Sequence, residues 1–143
     1  MKIIVDTCIW SLALRRDKKG SDHLIDELIE LINEVRVQLI GPIRQEILSG
    51  IKTKKQFITL KKNLSAFPDL QLQSKDFELA AEFFNTARSK GIQGSNTDFM
   101  ICSMAHRYNM SIFTTDKDFS LFAQVIPIKL YEPRLKPNHE NQD

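Results

Sequence analysis

The sequence predicts an α/β fold with a single domain, in which a central parallel sheet is flanked by helices on both faces. Short apolar segments alternate along the chain with longer segments of helical periodicity, an alternation typical of parallel sheets. The first apolar segment, Ile3-Ile4-Val5, contains no polar residue, as expected for a strand buried on both faces. With 143 residues, 42% of them apolar, and a net charge of +2, the chain can form one core.

We expect the domain to cover residues 1–132 and a polar, mobile tail to cover residues 133–143. Cys8 and Cys102 lie in apolar surroundings without Cys-x-x-Cys spacing, which predicts neither a disulfide nor a zinc site and favours a reducing compartment. Asp6 interrupts the apolar start of the chain, and no segment reaches the roughly 18 apolar residues of a membrane span. These features predict a soluble, cytoplasmic protein with no membrane partner.

The first half of the chain predicts two strands and four helices. Ser21 is a good N-cap for the second helix, Pro42 fits the first turn of the third, and Gly50 ends it. In chain order the expected elements are a strand over 2–6, helices over 8–14 and 21–33, a strand over 37–40, and helices over 42–49 and 54–64. The last helix is basic and amphipathic, and we expect four of its residues to face the core: Phe57, Ile58, Leu60 and Leu64.

The second half predicts two long helices between short strands. Ser74 caps the first helix and Gly91 stops it, while Ser95 or Asn96 caps the second, which is apolar nearly all round and therefore buried against the sheet. In chain order the expected elements are an edge strand near Leu70 and Leu72, helices over 74–90 and 97–108, a strand over 111–114, a helical turn over 118–122 and an edge strand over 126–130.

Four acidic residues fall near one edge of the predicted sheet. Asp6 ends the first strand, Glu46 lies in the helix after the second, Asp98 opens the buried helix, and Asp116 follows the strand over 111–114. Ligands of parallel sheets bind beyond the carboxyl ends of the strands. Gathered carboxylates repel one another, and Mg²⁺ or Mn²⁺ relieves that repulsion at an all-oxygen site. Such a site can activate water to hydrolyse a phosphodiester.

The segments that carry these acids are Ile3-Ile4-Val5-Asp6-Thr7, Pro42-Ile43-Arg44-Gln45-Glu46, Thr97-Asp98-Phe99-Met100-Ile101 and Thr114-Thr115-Asp116-Lys117-Asp118-Phe119. In order and spacing they resemble the PIN-domain ribonucleases, and most of all the toxin component of VapBC-type bacterial toxin–antitoxin modules. The resemblance extends from Met1 to about Leu130. It implies an endoribonuclease that depends on Mg²⁺ or Mn²⁺ and cuts structured RNA, such as tRNA, with metal-activated water. It also implies an antitoxin that covers the site.

The resemblance implies that Asp6, Glu46, Asp98 and Asp116 are catalytic, and that Asp6, Asp98 and Asp116 bind the metal, with Glu46 and Asp118 as further candidate ligands. Some relatives use the acid just before the aromatic residue of the last motif, so Asp116 and Asp118 stay alternatives for the fourth acid. A supporting hydroxyl beside the acids is expected from Thr7.

Each of these residues also has an ordinary structural explanation. Asp6 and Thr7 can cap a helix, Asp98 can stabilise a helix dipole, Glu46 can face solvent and Asp116 can belong to a turn.

Two basic segments are candidates for RNA contacts. Residues 15–19 carry four basic groups against one acid, and residues 51–75 carry six lysines against one acid. Both follow elements at the acidic edge, which favours phosphate binding, although a solvated helix face is the alternative. The predicted RNA-binding residues are Arg15, Arg16, Lys54, Lys55, Lys61 and Lys62.

The sequence offers more apolar surface near its first helix than the core needs. The residues concerned are Trp10, Leu12, Leu14, Phe57 and Leu60. This surplus supports an antitoxin partner and a homodimer.

Two other functions stay open at this point. A phospho-acceptor receiver domain is also a small α/β fold with an Mg²⁺-binding acidic pocket. It needs a lysine near the last strand, a position that Lys129 can fill, and several acids early in the chain. The first strand here supplies only one acid. A non-catalytic RNA-binding PIN-like protein would keep the fold without the chemistry.

Overall fold

A computed structural model describes residues 1–14 and 22–135 of the chain. Its strands are Ile3–Val5 (β1), Val37–Gln38 (β2), Ser111–Phe113 (β3) and Lys129–Leu130 (β4). They form one parallel sheet in the order β2-β1-β3-β4, in which Ile4 pairs with Gln38 on one side and with Ile112 on the other. The predicted parallel α/β architecture is confirmed.

The helices of the described ranges connect these strands and cover them. They are Thr7–Leu14 (α1), Asp22–Asn33 (α2), Gly41–Leu48 (α3), Lys54–Leu64 (α4), Ser74–Ser89 (α5), Asn96–Arg107 (α6) and Asp118–Val125 (α7). Every residue of β1 is buried, and successive side chains of a strand point to opposite faces, so both faces of the sheet are covered. No helix in these ranges is long and apolar enough to cross a membrane.

Glycine and proline end and begin the helices much as the sequence predicts. Pro42 lies in the first turn of α3, where its missing N–H costs nothing. Gly50 and Gly91, just beyond α3 and α5, have φ angles of +84° and +76°, which glycine adopts more readily than other residues. Ser74 is the first residue of α5 rather than its cap, because Gln73 takes that position and donates its N–H to Asp76 at 2.8 Å. The predicted cap Ser21 lies outside the described residues.

Three expectations about individual elements are wrong. Leu70 and Leu72 form no strand; a single bridge joins Asp69 to Leu39, and the neighbouring Pro68 has no N–H with which to extend it. The last helix, α7, continues to Val125 rather than ending at 122. β4 begins only at Lys129.

The inner face of α4 is also narrower than its periodicity predicts. Leu64 is buried and Leu60 half-buried, whereas Phe57 and Ile58 are 38% and 53% exposed. A helix that packs against the domain on one side buries only the stripe that meets its neighbour. Phe57 and Ile58 therefore remain available to a partner.

The core is rich in aromatic residues. Its largest fully buried side chains include Phe99, Phe113, Phe119 and Phe122. Trp10 is 5% exposed, and its ring N–H donates to the carbonyl oxygen of Val5 at 3.1 Å. Trp10 therefore belongs to the core and does not contribute to the apolar surplus expected near α1.

The last described residues are held against α2 by a buried glutamate. Glu27 accepts hydrogen bonds from the guanidinium of Arg134 at 2.7 Å and from the N–H of Leu135 at 2.9 Å. A buried carboxylate needs such donors. Arg134 and Leu135, from the expected tail, are thus hydrogen-bonded to α2, while residues 136–143 lie outside the described ranges. The predicted domain boundary stays a prediction.

Candidate active site

The acidic residues lie where the strand order of the sheet reverses. From β1 the sheet continues to β2 on one side and to β3 on the other, and this switch is where parallel sheets form a crevice for ligands. Asp6 directly follows β1, and its N–H donates to the carbonyl oxygen of Phe113, the last residue of β3, at 2.9 Å. The loop after Phe113 therefore begins beside Asp6.

Asp6 is a buried carboxylate with several hydrogen-bond donors around it. Only 6% of the surface of Asp6 is exposed to solvent. Oδ1 accepts the N–H of Thr7 at 2.7 Å, and Oδ2 accepts the hydroxyl of Thr114 at 2.7 Å and the thiol of Cys8 at 3.6 Å. Burial raises the pKa of Asp6 and outweighs these bonds, and the charge of Asp98 raises that pKa further. A cation beside Asp6 would favour its ionised form.

Asp98 opens α6 and takes part in a capping box. Its backbone N–H donates to Ser95 Oγ at 3.1 Å, and its Oδ2 accepts the N–H of Ser95 at 3.0 Å. Burial raises the pKa of Asp98 despite these bonds, and the charges of Asp116 and Asp118 add to the effect. The cap occupies Oδ2, so Oδ1 keeps its capacity to bind a ligand.

Gly94 allows the α6 terminus to lie where it does. A Cβ atom at this position would come within 2.5 Å of the Phe122 ring and 3.0 Å of the Phe99 ring. Because only glycine tolerates this approach, the loop before Asp98 can pack directly on the aromatic core.

Thr7 joins Glu46 to the rest of the site. The hydroxyl of Thr7 donates to Glu46 Oε1 at 2.7 Å, while the backbone N–H of the same residue binds Asp6. Glu46 lies on an exposed position of α3. The hydroxyl of Thr7, which was expected to support the acids, therefore contacts Glu46.

Asp116 and Asp118 share the loop after β3 but have different surroundings. Asp116 is half-buried, and its N–H donates to Thr114 Oγ1 at 3.0 Å. Its Oδ1 accepts the N–H of Asp118 at 2.9 Å, so Asp116, rather than Asp118, supports the first turn of α7. Asp118 is exposed.

The charge of Asp98 acts on Asp6, the charges of Asp116 and Asp118 act on Asp98, and Thr7 joins Glu46 to Asp6. Within residues 1–14 and 22–135, no group of three histidine, cysteine, aspartate or glutamate side chains is arranged closely enough to hold a metal ion. The oxygen-only, mutually repelling donors still fit Mg²⁺ or Mn²⁺, because Mg²⁺ keeps several waters and binds proteins through only one or two carboxylates.

Three residues at the site were not singled out as functional in the sequence. Thr114 and Ser95 bind Asp6 and Asp98, and the Ser95-x-x-Asp98 spacing was a usable signal for the second contact. Cys8 was expected in the core but is half-buried, with Sγ 3.4 Å from Thr114 Oγ1. The buried thiol of Cys102 has a raised pKa, from burial first and then from Asp98 and Asp6.

The predicted RNA-binding residues are only partly described. Arg15 and Arg16 lie outside the described ranges. The four lysines of α4 are all exposed: Lys54, Lys55, Lys61 and Lys62. Lys55 also lines a groove between α4 and the end of α1, with Leu14, Ile51 and Leu60.

Comparison with known proteins identifies the family. A PIN domain model matches residues 3–125. Ribonuclease VapC11 of Mycobacterium tuberculosis is 31% identical over 127 residues, which cover 86% of this chain and 92% of that protein. FitAcB of Neisseria gonorrhoeae and VapBC2 of Rickettsia felis, the latter solved with a DNA fragment from its promoter, both superimpose with a TM-score of 0.73. Their identities are 20% and 21%; each covers 92% of this chain, which spans 97% and 98% of theirs.

The fold is that of a PIN domain, and its acidic residues lie at the switch point of the sheet. The chain belongs to the PIN-domain family and, within it, to the VapC ribonucleases, the endoribonuclease toxins of VapBC modules. The expected family is confirmed. The receiver-domain alternative is thereby excluded.

Proposed function

We propose that this ribonuclease cuts structured RNA, such as tRNA, with Mg²⁺ or Mn²⁺ held in the crevice by Asp6, Asp98 and Asp116. The observation that carries the proposal is the pair formed by Asp6 and Asp98, two desolvated carboxylates whose pKa values are raised by burial and by neighbouring negative charge. A divalent cation offsets both effects. VapC nucleases of the PIN family generally depend on a divalent metal.

When bound, a divalent cation supplies water of lowered pKa and stabilises the leaving oxygen of a phosphodiester. The residues of the chain orient that chemistry. Asp6 is restrained at both oxygens, by Thr7 and Thr114, and Glu46 is exposed beside Thr7, where it can accept a proton from the attacking water. Attack on phosphorus with loss of the 3′ oxygen leaves 5′-phosphate and 3′-hydroxyl ends.

The exposed lysines of α4 supply phosphate contacts in this proposal. Lys61 and Lys62 lie in the last turn of the helix, while Lys54 and Lys55 lie in its first turn. Basic groups along one helix favour binding to a nucleic-acid backbone whatever the nucleotide sequence. RNA shape and single-stranded loops would then determine which target is cut.

A cognate antitoxin is the second partner that we propose. Solved neighbours of this fold include VapBC toxin–antitoxin complexes. Apolar side chains stand free at the end of α1 and on α4: Leu14 is 50% exposed, Phe57 38% and Ile58 53%. An antitoxin helix can cover this surface, and an arginine beside it can pair bidentately with crevice carboxylates.

A homodimer is the third partnership that we propose. On α5, Phe77 is 53% exposed above a cleft lined by Phe84, Asn96 and Met100. This surface is separate from the Leu14 and Phe57 surface. It offers a second copy of the chain an apolar contact of its own.

The Asp98→Asn substitution tests the proposed site. The amide oxygen can still accept the N–H of Ser95, so the cap and the melting temperature should be preserved. We expect cleavage of an RNA substrate with Mg²⁺ to fall at least about 100-fold, because one crevice carboxylate is lost. Asp26→Asn, at an exposed position of α2, is the matched control and should cleave normally.

A folded Asp98→Asn variant that cuts RNA at the wild-type rate would refute the site. Wild-type protein that binds RNA but does not cleave it with Mg²⁺ or Mn²⁺ would instead favour a non-catalytic PIN-like protein. Cyclic phosphate ends would contradict hydrolysis by water.

A further inference from the structure

We propose that Thr114 is a positioning residue of this nuclease, whose hydroxyl holds the Asp6 carboxylate and the backbone of Asp116 in one arrangement. The inference rests on the proposed function, because it concerns how that site is held together. Thr114 directly follows β3, and Asp6 directly follows β1, so the hydroxyl joins the ends of two neighbouring strands.

Two strong contacts define the arrangement. Thr114 Oγ1 donates to Asp6 Oδ2 at 2.7 Å and accepts the backbone N–H of Asp116 at 3.0 Å. A single oxygen thus contacts the side chain of one proposed metal ligand and the main chain of another. Movement of either residue breaks one of the two bonds.

The number of available protons determines the direction of each bond. A hydroxyl has one proton and two lone pairs, and an ionised carboxylate only accepts. Thr114 therefore gives its proton to Asp6 and receives the Asp116 N–H. Its second lone pair faces Cys8 Sγ at 3.4 Å, and Cys8 itself receives the N–H of Thr115 at 3.4 Å. The Cys8 sulfur also lies 3.6 Å from Asp6 Oδ2, so its single proton can go to only one of these two oxygens, and the Thr114 arrangement rests on the bonds to Asp6 and Asp116.

This arrangement also determines which oxygen of Asp6 remains for a ligand. Oδ2 is engaged by Thr114 and contacted by Cys8, whereas Oδ1 accepts one hydrogen bond, from the N–H of Thr7. Oδ1 therefore keeps a lone pair for a cation or its water. Without the Thr114 hydroxyl, the carboxylate can rotate about its terminal torsion, which is a soft one. Thr114 acts through Asp6 and Asp116 and needs no contact with RNA.

Two pairs of variants isolate the hydroxyl. Wild-type Thr114 against Thr114→Val compares a hydroxyl with a methyl of similar shape, and Thr114→Ser against Thr114→Ala makes the same comparison in a smaller side chain. We measure Mg²⁺ affinity by titration calorimetry without RNA, and kcat and KM on an RNA oligonucleotide. Thr115→Val, at the exposed neighbour, is the matched control.

We expect Thr114→Val and Thr114→Ala to weaken Mg²⁺ binding and kcat by about 10- to 100-fold, the usual effect of losing a residue that orients a metal ligand. KM for RNA should stay within about threefold, because Thr114 does not contact substrate in this scheme. Thr114→Ser should restore both quantities to nearly wild-type values. Thr115→Val should behave as wild type.

A folded Thr114→Val variant with wild-type Mg²⁺ affinity and kcat would overturn the inference while leaving the proposed function intact. Thr114→Ser as impaired as Thr114→Ala would also overturn it, since the methyl group and not the hydroxyl would then matter. If Thr114→Val does not fold, the serine and alanine variants decide. A wild-type protein that neither binds Mg²⁺ nor cleaves RNA overturns the proposed function itself and this inference with it.

Discussion

Two of the acid side chains accept a hydroxyl proton, and a third accepts a backbone N–H within a capping box. Thr114 donates to Asp6, Thr7 donates to Glu46, and Ser95 exchanges capping bonds with Asp98. A carboxylate at the end of a buried strand or at a helix N-terminus needs such bonds for the fold alone. Structural and chemical roles are therefore compatible in one residue, and the cap on Asp98 does not argue against metal binding.

Individual contacts also bear on whether Asp116 or Asp118 is the fourth acid of the site. We expect Asp116→Asn to reduce kcat with Mg²⁺ at least about 100-fold, because Asp116 is half-buried and its main chain is tied to Thr114. Asp118→Asn should stay within about threefold of wild type, because Asp118 is exposed. The amide at position 116 can still accept the Asp118 N–H, so both variants should keep α7. Steady-state kinetics check this, and the reverse order of effects would assign the fourth acid to Asp118.

At the level of elements, α2 organises the end of the chain through one buried residue. Glu27 is fully buried, and burial alone would raise its pKa, but the N–H of Leu135 and the bonds from Arg134 outweigh that effect and hold the pKa below its ordinary value. Arg134 also pairs with the more exposed Glu34 at 2.9 Å. The residues after β4 are thus tied to a helix from the first half of the chain.

This anchor predicts how stability depends on pH. Because the folded pKa of Glu27 is lowered, its contribution is complete above its ordinary value of 4.5 and is lost as the pH falls through the folded value. Glu27→Gln should lower the free energy of unfolding at pH 7 by about 2 kcal/mol, the scale of hydrogen bonds to a charged group. The deficit should shrink in acid. Urea unfolding at pH 7 and pH 3 measures it, with Glu34→Gln as the milder control, and an equal deficit at both pH values would contradict the linkage.

The basic face of α4 makes a separate prediction about RNA. Replacing Lys54, Lys55, Lys61 and Lys62 by glutamine should weaken RNA binding and reduce the salt dependence of the affinity by about one unit of slope per lost contact. Metal affinity should not change. A control variant removes four exposed basic groups from other elements: Lys2, Arg88, Lys90 and Lys129. Filter binding at several salt concentrations compares the two, and equal salt slopes would return the α4 lysines to a solvated helix face.

Over the whole molecule, charge and apolar surface are distributed unevenly. The net charge is only +2, yet acids gather at the switch point of the sheet while lysines line α4. Leu14 and Phe57 also expose apolar surface that packing within the chain leaves uncovered. A surface of this kind is expected to acquire a partner.

We therefore expect Leu14→Ser combined with Phe57→Ser to prevent capture of the protein encoded beside this chain, while purified enzyme retains its RNA cleavage. Exposed apolar anchors often dominate the affinity of such interfaces. Phe77→Ser, on the α5 surface, is the control and should still capture the antitoxin while weakening self-association. Co-expression, co-purification and light scattering read out both effects. Undiminished capture by the double variant would place the antitoxin elsewhere.

Local patterns in the sequence were sufficient for most elements and for the set of acids. The Pro42 start, the Gly50 and Gly91 ends and the buried β1 follow from propensities that act within a few residues. The edge of the sheet at which the acids gather then follows from the alternation of strands and helices, because parallel strands all end on one side. The remaining details depend on residues far apart in the chain.

Which face of a helix meets the core is one such detail. Periodicity assigned Phe57 and Ile58 to the interior, whereas packing leaves both exposed; Trp10, counted in the apolar surplus near α1, is buried. The partnership of Thr114 with Asp6 is another, since it joins residues 108 positions apart. Propensity and spacing operate along the chain, but burial and hydrogen bonding across strands are decided only when the sheet has assembled, because only then are the competing partners brought within contact distance.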